Sequence, residues 1–388
     1  MSFSLSRRRF LGRAGMIGCS LAASPLLTPV TFASAPWDTR LVVIILRGGM
    51  DGLDVVRPLG DPAFAALRPG LNTGTPALDL DGYFALHPGL APLMPMWQAQ
   101  ELGFVHAVST PYRDRRSHFD GQDILEAGTE GTASGARGGW LNRMLQQVPQ
   151  ARADTAFAIG NGDIRVLDGA APVANWAPEA NLRLSPQSMR LAELIMEDDA
   201  AMHAALAEAQ VLAQETSGQA AGGQRHNRIA QFAVSRLKAE ARVAAFSLGG
   251  WDTHRRQDRA LPRSLRSLSD TLLTLKSGLG GDLWGKTAVV AMTEFGRTAR
   301  ENGTGGTDHG TGGLMIMAGG AIRGGRVYGR WPGLDSAALY QERDLMPTDD
   351  VRASAAWIMR GLTGLDRTAL QDSIFPGLDM GADQGLLR

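Results

Sequence analysis

A chain of 388 residues, 44% hydrophobic and 20% charged, has ordinary globular composition and enough length to bury a sizeable core. Its 39 basic and 39 acidic residues cancel, so it lacks the basic excess that nucleic-acid binders carry. One cysteine, Cys19, excludes an intrachain disulfide.

The N-terminus separates from the rest. Ser6-Arg7-Arg8-Arg9-Phe10-Leu11 matches the twin-arginine export pattern, and a weakly apolar segment, Ala14 to Leu27, precedes the small residues Ala33-Ser34-Ala35. That segment is too short, and too broken by Gly and Ser, for a transmembrane helix. Residues 1–35 therefore read as a signal peptide, cut after Ala35 or, because Pro36 follows, after Ala33. Its removal takes four arginines, no acid and Cys19, leaving a net charge near −4 and no thiolate for a metal site. The implied partner is the twin-arginine translocase, which carries folded proteins, and the destination is the periplasm or beyond.

Leu41 to Leu46 (LVVIIL) is a buried strand running into Arg47-Gly48-Gly49-Met50-Asp51-Gly52. The glycines allow a sharp turn, and Asp51 falls just past the strand's carboxyl end, where open α/β sheets bind ligands. Alone, Asp51 would read as a turn or cap aspartate. His87-Pro88-Gly89 opens a helical stretch to about Gln98, and Leu102 to Val108 is the second strand, with His106 expected as a hydrogen-bonded core residue. The segment from Ser109 to Asp120 gathers Arg113, Arg115, Arg116 and His118 just before a helix from Phe119 to Glu126. A helix N-terminus with nearby arginine suits an anion. Ser117 there reads as a nucleophile or as the helix N-cap, and both readings stand.

Gly139 to Val148 has the periodicity of an amphipathic helix, with Trp140, Leu141, Met144, Leu145 and Val148 inward. Ala156 to Ile159 and Ile164 to Leu167 suggest a hairpin, and residues 168–186 a loop. Gln187 to Gln214 is an Ala-rich helical run, separated by Glu215 to Arg225 from a helix at Asn227 to Glu240; His203 and His226 are expected at solvated positions there. Val243 to Leu248 is a third clear strand, ending in Gly249-Gly250-Trp251-Asp252-Thr253-His254. Asp252 and His254, two apart in an extended segment, point the same way and can reach one ion. A helix from Gln257 to about Lys276 places Leu261, Leu265, Leu268 and Leu272 at core spacing.

Thr287 to Met292 and Leu314 to Ala318 have the composition of buried strands in a parallel sheet. Between them, Thr293 to Gly313 carries Glu294, Arg297, the adjacent Asp308-His309 and seven glycines. A loop that only joins two strands does not need that chemistry. Val327-Tyr328 is expected as an edge strand, Thr348-Asp349-Asp350 as the cap of a helix from Val351 to Leu362, and Ile374 to Leu378 as an anchor. Alternating strands and helices give an α/β fold with a mainly parallel central sheet. Carboxylates and imidazoles delivered to one sheet edge suit Zn, Mn or Fe, or Mg or Ca where oxygens dominate. Two such ions could clamp a phosphoryl or sulfuryl oxygen while activating serine or water, with Arg47, Arg113 or Arg297 offsetting charge.

The pieces RGGMDGLD, RSHFDGQD, GGWDTH, TEFGRT and GTDHGTGG resemble an exported bacterial family labelled domain of unknown function 1501, over about residues 40–380. The resemblance implies an alkaline phosphatase-like fold, its central sheet flanked by helices on both faces, in a single domain of residues 36–388 with a helical insertion around 187–240. It also implies metal ligands at Asp51, Asp252, His254, Asp308 and His309 and a nucleophile at Ser117; Glu294 is expected as a further ligand or as a carboxylate behind the ligands. Two departures point to one metal or a degenerate site: no histidine follows His309, and a single residue separates Asp252 from His254. Ser109-Thr110-Pro111-Tyr112-Arg113 also resembles the modification core of serine-type sulfatases, making Ser109 a second candidate nucleophile. The expected function is a metal-dependent hydrolase of phosphate or sulfate esters of a small molecule or glycan. The alternative is a non-catalytic envelope binding protein on the same fold.

Overall fold

The computed structural model describes residues 37–71, 76–132, 136–149, 151–160, 164–177 and 224–388. The expected signal peptide, His203 and the helical run from Gln187 to Gln214 lie outside the described residues. Strand β1 (Arg40–Leu46) is buried at all seven positions. Burial on both faces explains why its sequence shows no polar alternation. A three-stranded sheet of β2 (Val56–Arg57), β3 (Leu78–Asp79) and β4 (Ala85–Leu86) lies apart from the main one.

The main sheet adds β5 (Leu102–Ser109), β6 (Ala156–Ile159), β7 (Ala174–Trp176), β8 (Val243–Leu248), β9 (Thr287–Met292), β10 (Gly313–Ala318), β11 (Val327–Tyr328) and β12 (Asp349–Asp350). Its order is β11-β5-β10-β9-β1-β8-β6-β7, with β12 also on β5. β9, β1, β8, β6 and β7 are parallel neighbours. β10 is antiparallel to both β9 and β5, which corrects the parallel reading of that run. Residues 293–312 contain no helix to carry the chain back across the sheet, so β10 must start at the edge where β9 ends. The catalytic-looking loop therefore stays at the carboxyl edge of β1, β8 and β9. The proposed hairpin near residue 160 is also corrected: Arg165–Leu167 is a 3₁₀ turn, and β6 pairs in parallel with β7.

The longer helices among the described residues are α1 (His118–Ala127), α2 (Trp140–Gln146), α3 (Arg225–Lys238), α4 (Gln257–Gly285, interrupted at Gly280) and α5 (Val351–Thr363). Leu261, Leu265, Leu268 and Leu272 on α4, and Ala355, Ile358, Met359 and Leu362 on α5, are buried in the core, as their spacing required. Asp350 caps α5 by accepting from the Arg352 amide. His226 is buried, 3.4 Å from Asp270, and so is not solvated as expected. His106 is a core residue whose Nε2 meets the Val56 carbonyl at 3.0 Å, and burial lowers its pKa to about 4. No helix among the described residues is long and apolar enough to cross a membrane.

The glycines of the β9–β10 loop allow backbone to meet backbone. A Cβ on Gly296 would stand 1.8 Å from the Gly312 carbonyl oxygen, and one on Gly306 would stand 2.3 Å from that of Thr253. Gly303 meets nothing within 4 Å. Gly306→Ala should cost about 1–3 kcal/mol or more through overpacking, and Gly303→Ala less than about 0.5 kcal/mol. Urea unfolding of the two variants checks the contrast.

Candidate metal centre

The edge is assembled around Arg297, which is buried at 1% exposure on the β9–β10 loop. Its Nε donates to the Gly49 carbonyl (2.6 Å) and its Nη1 to that of Thr307 (3.0 Å). Its Nη2 reaches the carbonyls of Gly48 and Trp251, and Asp252 Oδ1 at 2.6 Å. One guanidinium thus joins the turn after β1, the turn after β8 and the loop after β9. The planar fork, with donors in fixed directions, suits this; a lysine ammonium would not.

Three imidazoles converge on Asp252, and each has its other nitrogen tied to a fixed acceptor. His118 Nδ1 meets buried Glu294 Oε1 at 2.8 Å. His254 Nδ1 meets Asp308 Oδ1 at 3.0 Å. His309 Nδ1 meets the Arg116 carbonyl at 2.9 Å. Ionised carboxylates and carbonyls only accept, so every Nδ1 carries the proton. The Nε2 atoms are left pointing inward: 3.5 Å from Asp252 Oδ2 for His118, 3.1 Å from Oδ1 for His254, and 3.4 Å from Oδ1 for His309.

That arrangement fits a cation. His254 Nε2 and His309 Nε2 are 2.9 Å apart, and two neutral lone pairs at that distance repel unless a proton or a metal ion lies between them. His118 Nε2 is buried without a hydrogen-bond partner. Ligand atoms of His118, Asp252 and His309 all lie within 4.8 Å of one another, and His254 Nε2 lies 3.1 Å from Asp252 and 2.9 Å from His309. Imidazoles whose outer nitrogen is held by a carboxylate or carbonyl are the usual surroundings of a bound metal. Glu294 supports this from beneath, also accepting from the Gly48 amide (2.9 Å) and Gln122 Nε2 (3.2 Å). Burial opposes its ionisation, but the His118 hydrogen bond and these donors outweigh it and lower its pKa. That bond in turn raises His118, while burial lowers His309. Asp252 is lowered because Arg297 outweighs its partial burial. Asp252 and His254 are about half and two-fifths exposed, so the centre opens to solvent.

Asp252, His254 and His309 lie together; Asp308, expected as a ligand, instead accepts from His254 Nδ1, and Glu294 accepts from His118 Nδ1. Asp51 is not brought to them. It is buried, its Oδ2 accepting from Arg68 Nη1 (2.7 Å), Gln257 Nε2 (2.7 Å) and Thr307 Oγ1 (3.4 Å). Arg297 serves as a staple, with none of its three nitrogens free for an anion. Arg47 lies on Gln122 (2.6 Å) and Glu126 (2.7 Å), and Arg113 on the carbonyls of Thr110 and Tyr112. Ser117 is the N-cap of α1, its Oγ accepting from the Asp120 amide at 3.4 Å. Ser109 is buried and donates to the Thr110 carbonyl at 2.9 Å. The residue that sequence reasoning passed over is His118, inside the RSHFDGQD segment beside Ser117. Its signal was a histidine at the start of a helix just after a strand's carboxyl end.

Two outcomes follow. Asp252→Ala should abolish stoichiometric metal binding. Asp51→Asn should retain it while costing about 3–5 kcal/mol, because Arg68 is left buried without its partner; elemental analysis and urea unfolding separate the two. The pH dependence should reverse on loading. His118 is raised above its unfolded value, so in the metal-free protein its contribution is full below the ordinary imidazole pKa and is lost as pH rises through the raised value. Metal requires the neutral imidazole, so affinity should rise over that same window. Thermal unfolding at several pH values, with and without chelator, reads both trends.

No curated protein matches the chain. Among solved structures, a protein in the alkaline phosphatase superfamily from Vibrio parahaemolyticus aligns at TM-score 0.36 and 11% identity, covering 76% of this chain and 64% of that one. This chain therefore spans less than two thirds of the Vibrio protein. Alkaline phosphatase from the Antarctic bacterium TAB5 aligns at 0.33 and 11%, covering 74% and 91%. The C-terminal periplasmic domain of EcEptC from Escherichia coli, in complex with Zn, aligns at 0.38 and 9%, covering 91% and 95%. The family described as "Protein of unknown function (DUF1501)" matches residues 38–355, and the chain belongs to it.

Proposed function

We propose that the chain is a single-metal hydrolase of phosphate or sulfate esters, with His118, His254, His309 and Asp252 as ligands. The observation that carries this is the trio of imidazoles whose Nδ1 protons are assigned and whose Nε2 lone pairs meet at one solvent-open carboxylate. Three nitrogens and one carboxylate favour zinc, iron or manganese over magnesium or calcium. When bound, the ion would supply Lewis-acid polarisation of the ester oxygen.

The chain's own groups do the rest. Glu294, Asp308 and the Arg116 carbonyl each accept from an Nδ1–H and so aim the imidazoles with Nε2 inward. Ser117, directly before His118, accepts from the Asp120 amide, and we take its Oγ as the attacking atom: its proton passes to solvent water, the ester's alcohol leaves protonated by water, and a second water hydrolyses the Ser117 ester. Asp51 serves the buried framework through Arg68. The buried Ser109 does not suit the sulfatase-type reading. The leader residues support export in folded form by the twin-arginine translocase to the periplasm, and we read residues 36–388 as one domain with an insertion around 187–240. An ester of a small molecule or glycan remains the substrate class.

Elemental analysis of the exported protein, with turnover of aryl phosphate and aryl sulfate, tests this. One equivalent of metal and chelator-sensitive turnover of at least one ester are expected, with Ser117→Ala lowering kcat by roughly 100-fold or more. Full turnover in Ser117→Ala would assign the attack to water. A chain that binds metal and turns over neither ester would be the non-catalytic binding protein.

A further inference from the structure

The arginines expected to meet an anion are engaged elsewhere, yet two others stand beside His309 with donors to spare. The carbonyl of Arg116 accepts from His309 Nδ1 at 2.9 Å, and Arg343 Nη1 donates to the His309 carbonyl at 3.0 Å. Asp344, fully buried, lies 2.8 Å from Arg343 and 3.9 Å from Arg116, and accepts from Thr311 Oγ1 at 2.9 Å. One carboxylate is therefore shared between two guanidinia, leaving an excess of one positive charge within ion-pair distance. Nε and Nη2 of Arg343, and the whole Arg116 guanidinium, make no hydrogen bond among the described residues. The two side chains are 34% and 36% exposed.

The segments presenting these arginines are held in costly conformations. Asp114, Arg116, Gln341 and Glu342 have φ between 52° and 66°, and they are four of the seven non-glycine residues with positive φ in the described chain. A left-handed non-glycine residue is strained and persists only where its surroundings enforce it. Asp114 Oδ1 supplies that enforcement by accepting from Tyr340 Oη (3.0 Å) and Gln341 Nε2 (2.9 Å), tying one segment to the other. Arg343 and Asp308 also line a cavity of about 530 Å³ with an apolar wall of Leu67, Leu334 and Leu339, which is room for an organic group.

We propose that Arg116 and Arg343, aligned by Asp344, form a clamp for the tetrahedral oxyanion of the substrate beside the metal ligands, with the ester's organic group in the adjoining cavity. Guanidinium forks match phosphate and sulfate oxygens in pairs. The inference rests on the hydrolase reading.

Calorimetric titration of inorganic phosphate into the metal-loaded wild type, Arg116→Gln and Arg343→Gln tests it, with metal content measured in each. Arg116→Gln keeps the main-chain carbonyl on His309, so one equivalent of metal should remain while phosphate affinity falls about 10- to 100-fold. Arg343→Gln should act likewise, and Arg343→Lys should recover part of the loss by restoring charge without the fork. Should Arg343→Gln fail to fold, Arg116→Gln and Arg343→Lys carry the test. Wild-type phosphate affinity in both glutamine variants would overturn the clamp and leave the hydrolase reading standing. Arginine-dependent phosphate binding by a chain that takes up no metal would keep the clamp and sink the metal reading.

Discussion

The buried guanidinium of Arg297 is the contact on which the edge depends. Turns after three different strands have no reason to converge, because each carries backbone carbonyls that would rather face water. By accepting those carbonyls and the Asp252 carboxylate, Arg297 gives the turns a common partner out of solvent. It also leaves Asp252 ionised at the point where the imidazoles meet. The glycines then let the loop settle against its neighbours at distances no side chain would permit. Sheet direction completes the frame: one antiparallel strand keeps both ends of this loop at the carboxyl edge.

On that frame, the outer hydrogen bonds decide the chemistry. A free imidazole can carry its proton on either nitrogen, but here each has its choice removed by a carboxylate or carbonyl on Nδ1. What faces inward is a set of lone pairs beside a carboxylate, which is a poor arrangement for protein alone and a good one for a cation. The buried Asp51–Arg68 pair shows the opposite solution beneath the same edge. There Oδ2 of the carboxylate accepts from an arginine, an amide and a hydroxyl, while its Oδ1 is buried without a partner.

Much of this was legible in the residues. Apolar runs located the principal strands, and the recurrence of strand, paired glycines and aspartate pointed to one edge; Asp252, His254 and His309 meet there. The same pattern expected Asp51 there as a ligand; in the fold its Oδ2 pairs with Arg68, which nothing local announces. Arg297 was read as an anion contact because its burial is a tertiary property. His118 was passed over because its partners, Glu294 and Asp252, belong to β-edge segments far along the chain, whereas Ser117 offered a familiar local role. The direction of β10 was misread because an apolar run with the composition of a parallel strand carries no mark of its direction.

The central claim is that three imidazoles and Asp252 hold one metal ion. X-ray absorption at the metal edge of the loaded protein tests it most directly. The account predicts a first shell containing three imidazole nitrogens at about 2.0–2.1 Å if the ion is zinc, reduced by one imidazole in His118→Ala. A shell of oxygens alone, or a spectrum unchanged by that substitution, would contradict it.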